Sequence, residues 1–186
     1  AYTISEFKDA LAKVELGGTR SVYLTSRMFS LGFLKDGETK EEKLSLLYEA
    51  VRERVGEEAT ITCSTANWSE INASYVFDHE NQPSREGALT EFIRKLPGSF
   101  RSIHPFVNYA SIGPLARQIT NNVSRHDFGP DSVFDRLMGL DTVQVQLGFT
   151  PTRALTLLHH VEFIRGVPYR YHKEFPFTVK TSQETY

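Results

Sequence analysis

Residues 39–65 read TKEEKLSLLYEAVRERVGEEATITCST, and two different periods meet inside them. Thr39 and Glu42 stand at the spacing of a capping box, in which a hydroxyl and a carboxylate each take a backbone N–H left open at a helix start. Leu44, Leu47, Val51 and Val55 then recur three and four residues apart among charged neighbours, and Gly56 ends the run. That pattern predicts an amphipathic helix. From Ala59 to Thr65 the residues alternate and become β-branched, which predicts a strand. Upstream, Ser21-Val22-Tyr23-Leu24-Thr25 is short, apolar and β-prone, and it runs into the polar turn Ser26-Arg27. Strand, helix, strand at this separation predicts a crossover unit in an α/β sheet.

The same signals extend in both directions. Thr3 and Glu6 form a second capping-box pattern before Ile4, Phe7, Leu11 and Val14, and Gly17-Gly18 closes that helix. Met28 to Leu31 is long enough for one helical turn before Gly32. Ala66 to Pro83 is polar, aromatic and unpatterned, the kind of long loop that is usually functional inside a domain. Pro83-Ser84 is expected to open a helix carrying Leu89, Phe92, Ile93 and Leu96, stopped by Pro97-Gly98. Short β-prone pieces fall between Ser102 and Gly113, and a short helix is predicted from Pro114 to Thr120. Ser132 and Asp135 cap another around Val133, Phe134 and Leu137. Thr142 to Gly148 alternates cleanly, predicting a strand with one polar face. The tail from His172 has no helix-length pattern.

Thr156-Leu157-Leu158-His159-His160-Val161-Glu162 carries the most chemistry. The apolar residues Leu155, Leu158 and Phe163, with Gly166 and Pro168 as stop signals, predict a helix from about Ala154 to Arg165. Residues three apart share a helix face, so His159 and Glu162 can touch. A carboxylate beside a histidine fixes its tautomer and supports the imidazolium formed when it takes a proton. On spacing alone, such a pair is more often an ordinary surface or core pair. His160 points about 100° away from His159 and is expected to pack or to face solvent.

Composition narrows the function classes. Of 186 residues, 40% are hydrophobic and 24% charged, as in globular proteins, and no apolar run approaches a membrane span of about 20 residues. One domain over residues 1–186 is expected. A net charge of -2 argues against nucleic acid as the main partner. The amino terminus lacks a secretory pattern, and a single cysteine cannot form an internal disulfide; both favour a cytoplasmic protein. Cys63, in mid-strand, is expected to be a small buried apolar residue. His104, His126 and His172 lack metal-ligand spacing, so no metal site is expected. Nothing in the pattern indicates an oligomeric state.

Three stretches together resemble the aminoglycoside 3-N-acetyltransferase family, enzymes that use acetyl-CoA. They are Pro83 to Leu89 running on to Pro105, Phe128 to Phe134, and Leu155 to Glu162 with Gly166 to Arg170. The resemblance implies an α/β fold with a mixed central sheet flanked by helices, and acetylation of an amine on an aminoglycoside or other amino-sugar. It implies His159 as base and Glu162 as its orienting partner. Thr156 either donates a hydrogen bond near the thioester or starts the helix. Leu24 to Met28 corresponds to the family's coenzyme-binding turn, which makes Thr25, Ser26, Arg27 and Met28 coenzyme candidates, together with Arg101, Ser102 and the backbone of Val107. The family commonly has His at the place of Thr25, Ser at that of Arg27 and a second His at that of Val107, and it continues well beyond the Val-Pro-Tyr-Arg segment. Asn67, Trp68, Asp78 and Glu80 suit a cationic amino-sugar by stacking and charge, although folded surface loops contain such residues anyway. The alternative is a non-catalytic relative that binds coenzyme or a partner.

Overall fold

Both capping boxes form in the computed structural model, which describes residues 1–16, 18–67, 75–150, 153–171 and 173–182. Thr39 Oγ1 accepts the Glu42 N–H at 3.1 Å while Glu42 Oε2 accepts the Thr39 N–H at 3.1 Å. They open α3 (Lys40–Val55), and Thr3 with Glu6 opens α1 (Ile4–Ala12) in the same way. Each cap contributes about 1 kcal/mol.

Between them runs β1 (Ser21–Ser26), followed by the single-turn α2 (Met28–Leu31). β2 (Thr60–Ser64) lies parallel to β1, with Val22 opposite Ile61, as the crossover reading requires. β6 (Val143–Leu147) is parallel to β1 on its other side, with Val22 opposite Val143. β5 (Tyr109–Ile112) and β4 (Ser99–Arg101) extend the sheet antiparallel beyond β2, giving the order β4-β5-β2-β1-β6. The fold is α/β with a mixed central sheet, as the sequence implied.

β1 is paired on both edges and buried along its whole length, because side chains alternate between two covered faces. Val22 and Leu24 enter a core with Phe7 and Leu11 of α1, Leu47 and Val51 of α3, and Leu89 and Ile93 of α4 (Ala88–Lys95). Tyr23 enters the opposite core with Tyr109, Ile119 of α5 (Ala116–Thr120), and Phe134 and Leu137 of α6 (Val133–Gly139). Leu157 of α7 (Leu157–Ile164) packs at the margin of that second core. Cys63 is completely buried in the first, as expected, and burial pushes its thiol up to about 12.

Three expectations change. β3 (Val76–Asp78) and β7 (Thr178–Lys180) form a second, two-stranded parallel sheet, so neither the long loop nor the tail is wholly irregular. Residues 68–74 of that loop, Trp68 included, lie outside the described residues. α4 begins at Ala88, not at Pro83-Ser84, because Gly87 has φ 141° and breaks the helical path. α7 likewise begins at Leu157, after Ala154 at φ 60°. Among the described residues no helix is long and apolar enough to cross a membrane.

Candidate active site

Three parallel strands end on one edge of the sheet, and their carboxyl ends open a cleft, the usual ligand position in open α/β sheets. Its volume is about 240 Å³. Thr25 and Ser26 come from the end of β1 and Ser64 from the end of β2, while Phe149 follows β6. Glu86, Thr90, Val107, Tyr109, Ala154 and Thr156 supply much of the remaining wall. Thr25 Oγ1, Ser26 Oγ and the Tyr109 hydroxyl are buried without a protein partner. A buried, unpaired hydroxyl costs about 1–3 kcal/mol, so three along one small cleft mark a place shaped for a polar ligand.

The turn after β1 is held from the side. Arg27 N–H donates to Leu147 O at 2.8 Å, and a Cβ on Gly148 would lie 2.6 Å from Arg27 O. Only glycine allows β6 to pass so close, and its φ of 73° asks for glycine as well. Arg27 itself is exposed, and Met28 is half-buried against the first core. Neither lines the cleft.

The polar face of β6 positions the approach to α7. Gln144 Nε2 donates to Ala154 O at 2.6 Å and Gln146 Nε2 to Arg153 O at 2.8 Å. Thr156 therefore stands at the cleft, with its side chain beside the Tyr23 hydroxyl. It makes no capping bond to α7 although it occupies the N-cap position.

One residue of α7 anchors the helix. His160 is 2% exposed; its Nδ1 accepts the Gly129 N–H at 3.2 Å and lies 3.5 Å from Ser132 Oγ, while Nε2 is 3.8 Å from Asp135. Burial lowers its pKa, with Asp135 opposing. A Cβ on Gly129 would meet Phe163 Cε1 at 2.5 Å, so the Phe128-Gly129-Pro130 corner is the seat into which α7 fits. Phe128 also meets the His159 ring edge-on, with centroids 5.7 Å apart.

His159 faces outward from that seat, its side chain half-exposed, one turn beyond Thr156 and not on the cleft wall itself. Glu162 Oε2 is 3.6 Å from His159 Nδ1, beyond hydrogen-bond length. The carboxylate is taken by Arg170, whose Nε donates to Oε2 at 2.6 Å, and by the Tyr169 hydroxyl at 3.1 Å. The Arg170 hydrogen bond holds the Glu162 carboxyl below the ordinary carboxylate range. A terminal nitrogen of Arg170 also touches His159 Nδ1.

The remaining candidates are bound into the framework. Arg101 donates to Asn108 Oδ1 (2.8 Å) and to the carbonyls of Gln82 (2.7 Å), His79 (3.1 Å) and Thr65 (3.2 Å), with its guanidinium over the Phe77 ring. Burial lowers its pKa to about 10. Ser102 Oγ accepts the Tyr109 N–H at 2.9 Å. Asp78 accepts the Asn81 N–H and approaches Lys180, while Glu80 accepts the Ser182 N–H at 2.9 Å; both serve the small sheet. Asn67 is fully buried with neither amide atom partnered.

Sequence reasoning passed over Tyr23, Glu86 and Tyr109. Tyr23 was within reach, since it precedes Thr25 by two residues and so shares its face of the strand. Tyr109 was not, because its place opposite Ser64 follows from antiparallel pairing across the sheet. His104 was discounted for want of metal spacing. It holds the loop before β5, its Nδ1 accepting the Phe106 and Val107 N–H groups while Nε2 lies 2.7 Å from Asp127.

Comparison with known proteins gives a consistent result. The family model for aminoglycoside 3-N-acetyltransferase matches residues 24–186. Aminoglycoside N(3)-acetyltransferase VII of Streptomyces paromomycinus is 29% identical over 184 residues, covering 85% of this chain and 59% of that protein. Aminoglycoside N(3)-acetyltransferase IX of Micromonospora chalcea is 27% identical, covering 89% and 63%. The chain thus spans about three fifths of the length of these curated relatives. Among solved structures, AAC-IIIb in binary complex with CoASH superposes with a TM-score of 0.82 at 24% identity, covering 100% of this chain and 73% of that one. The apoenzyme of aminoglycoside acetyltransferase AAC(3)-IVa gives a TM-score of 0.76 at 27% identity, covering 100% and 69%.

Proposed function

The chain belongs to the aminoglycoside 3-N-acetyltransferase family, and from that membership we propose that it transfers the acetyl group of acetyl-CoA to an amine of an aminoglycoside or other amino-sugar. The observation that carries the reading is the cleft at the end of β1, where Thr25 Oγ1 and Ser26 Oγ are buried without protein partners and Thr156, one helical turn before His159, stands on the wall. Relatives named for this activity on aminoglycosides, and a similar fold solved with CoASH, support it. We place the reaction in the cytoplasm, where acetyl-CoA is available and a lone thiol such as Cys63 stays reduced.

The two hydroxyls fit the polar arm of the coenzyme, and Val107 offers an apolar wall beside them. Arg27, exposed at the turn after β1, is available for phosphate, whereas Arg101 is committed to four framework bonds. The unpaired amide of Asn67 is the better candidate for acceptor contact than Asp78 or Glu80, whose carboxylates already have backbone partners. The coenzyme supplies the activated acetyl thioester.

The acceptor amine must shed a proton to attack a carbonyl carbon, and His159 is the base within this site. A guanidinium only donates, so while Arg170 touches Nδ1 that nitrogen can act only as an acceptor. For Nε2 to accept a proton, Nδ1 must instead hold hydrogen and direct it to Glu162, which requires Arg170 to turn away from the ring. Glu162 already faces Nδ1 at 3.6 Å, so a small rotation completes the pair.

The test is thiol release from acetyl-CoA by the full-length protein across a panel of amines. His159→Ala is expected to lower kcat by roughly 10²–10⁴-fold, the usual contribution of a positioned base. Equal release from both proteins, or none with any amine, would sink the assignment; coenzyme binding without release would mark a non-catalytic relative.

A further inference from the structure

Tyr109 has an unusual standing among the residues of the cleft. It is 1% exposed, it lines the cleft, and its hydroxyl has no protein partner. The other phenol of the cleft, Tyr23, has the Thr156 side chain beside its hydroxyl. The Tyr109 ring is fixed on several sides. Its backbone N–H goes to Ser102 Oγ at 2.9 Å and its carbonyl accepts the Ser102 N–H at 2.9 Å. Its ring meets Phe134 edge-on at 5.5 Å and Tyr23 at 6.3 Å. A phenol held this firmly cannot swing to water to satisfy itself. Burial raises its pKa well above the ordinary value, so it remains a hydrogen donor throughout the working range of a protein.

We propose that the Tyr109 hydroxyl is the hydrogen-bond donor to the carbonyl oxygen of the acetyl group, in the cleft that it lines together with Thr25, Ser26 and Thr156. The inference rests on the transfer reading for its ligand and adds a residue to it. As the amine lone pair forms the C–N bond, the carbonyl π pair moves onto oxygen, and a neutral donor in a site shielded from water stabilises that developing charge. His159 takes the proton lost by the amine. When the C=O bond re-forms, the C–S bond breaks with its electron pair on sulfur, and the proton passes to the leaving thiolate. The products are the amide and free coenzyme A. The donor is pre-positioned by the framework, so the stabilisation costs no rearrangement during the reaction.

The donor acts on the acetyl oxygen alone, so its signature is the preference for acetyl-CoA over free CoA. Titration calorimetry on the full-length protein with each of the two ligands measures that ratio without turnover. Tyr109→Phe keeps the ring and its edge-on contacts and removes only the hydroxyl. It is expected to lower the acetyl-CoA to CoA affinity ratio by about fivefold, within the worth of one uncharged hydrogen bond, while leaving CoA affinity unchanged. Its kcat is expected to fall on the order of a hundredfold. An unchanged ratio, or a parallel loss of affinity for both ligands, overturns the assignment and reduces Tyr109 to a framework residue. If the ratio responds while no amine is acetylated, the donor stands and the transfer reading falls. If neither ligand binds, both fall.

Discussion

His159 and His160 are adjacent in the chain and opposite in environment. The rotation of about 100° between them puts one ring against Phe128 and a carboxylate, and the other inside the seat of α7. His160 can accept the Gly129 N–H only while Nδ1 is unprotonated, and burial keeps its pKa below the ordinary value of about 6.5. Unfolding frees the ring, so below about pH 6.5 the unfolded chain binds the extra proton. The stability owed to this residue is complete above that pH and is lost as pH falls from it through the lower, folded value. Urea unfolding at about pH 7.5 and about pH 5 is expected to show a larger loss for the parent than for His160→Asn, whose side-chain oxygen can still accept from Gly129. Equal losses would exclude His160 as the source. The two histidines could be separated in the sequence by helical rotation alone. What their rings touch could not, because Gly129, Phe128 and Asp135 come from a segment some thirty residues away.

Elements divide by length. α3 was legible because four turns repeat one signal and both of its caps are local, and β1, β2 and β6 because five or six residues suffice to show alternation or β-branching. β3 and β7 were not, since three residues carry no period and their partner lies about a hundred residues away along the chain. The start of α7 was overextended because the apolar spacing says nothing of Ala154, whose φ of 60° leaves the helical path and whose carbonyl is held by Gln144 from across the sheet edge. The seat of α7 supplies a sharper test of packing. Gly129→Ala sets a Cβ against Phe163 at 2.5 Å in a backbone with φ 101°. Overpacking of this kind costs about 1–3 kcal/mol, and the left-handed backbone adds to it. Chemical denaturation is expected to show a loss of at least that size, with His159 displaced and thiol release impaired. A variant as stable and as active as the parent would mean that α7 does not rest on this corner.

At the scale of the molecule, the cleft exists because β1, β2 and β6 run in one direction and finish together, with the loops before α4, β5 and α7 closing over their ends. Ligand binding should therefore register as global stability. Coenzyme A at about a hundred times its Kd adds about 2.7 kcal/mol, which for a chain of this size is a rise in Tm of roughly 5–10 °C. Thermal unfolding checks this directly, and no shift at saturating coenzyme would count against the whole assignment of the cleft. The sequence by itself determined the α/β class, the long helix and its neighbouring strands, the shared face of His159 and Glu162, and the family. Those depend on residues within one or two turns of each other, or on motifs in order. Only the tertiary structure decided that Arg101, Asp78 and Glu80 are spent on the framework, that Arg170 competes for Glu162, and that Tyr109 brings an unpaired hydroxyl to the cleft. A hydrogen bond is made or left open by whatever stands within about 3 Å, and at that range the neighbours come from every part of the chain.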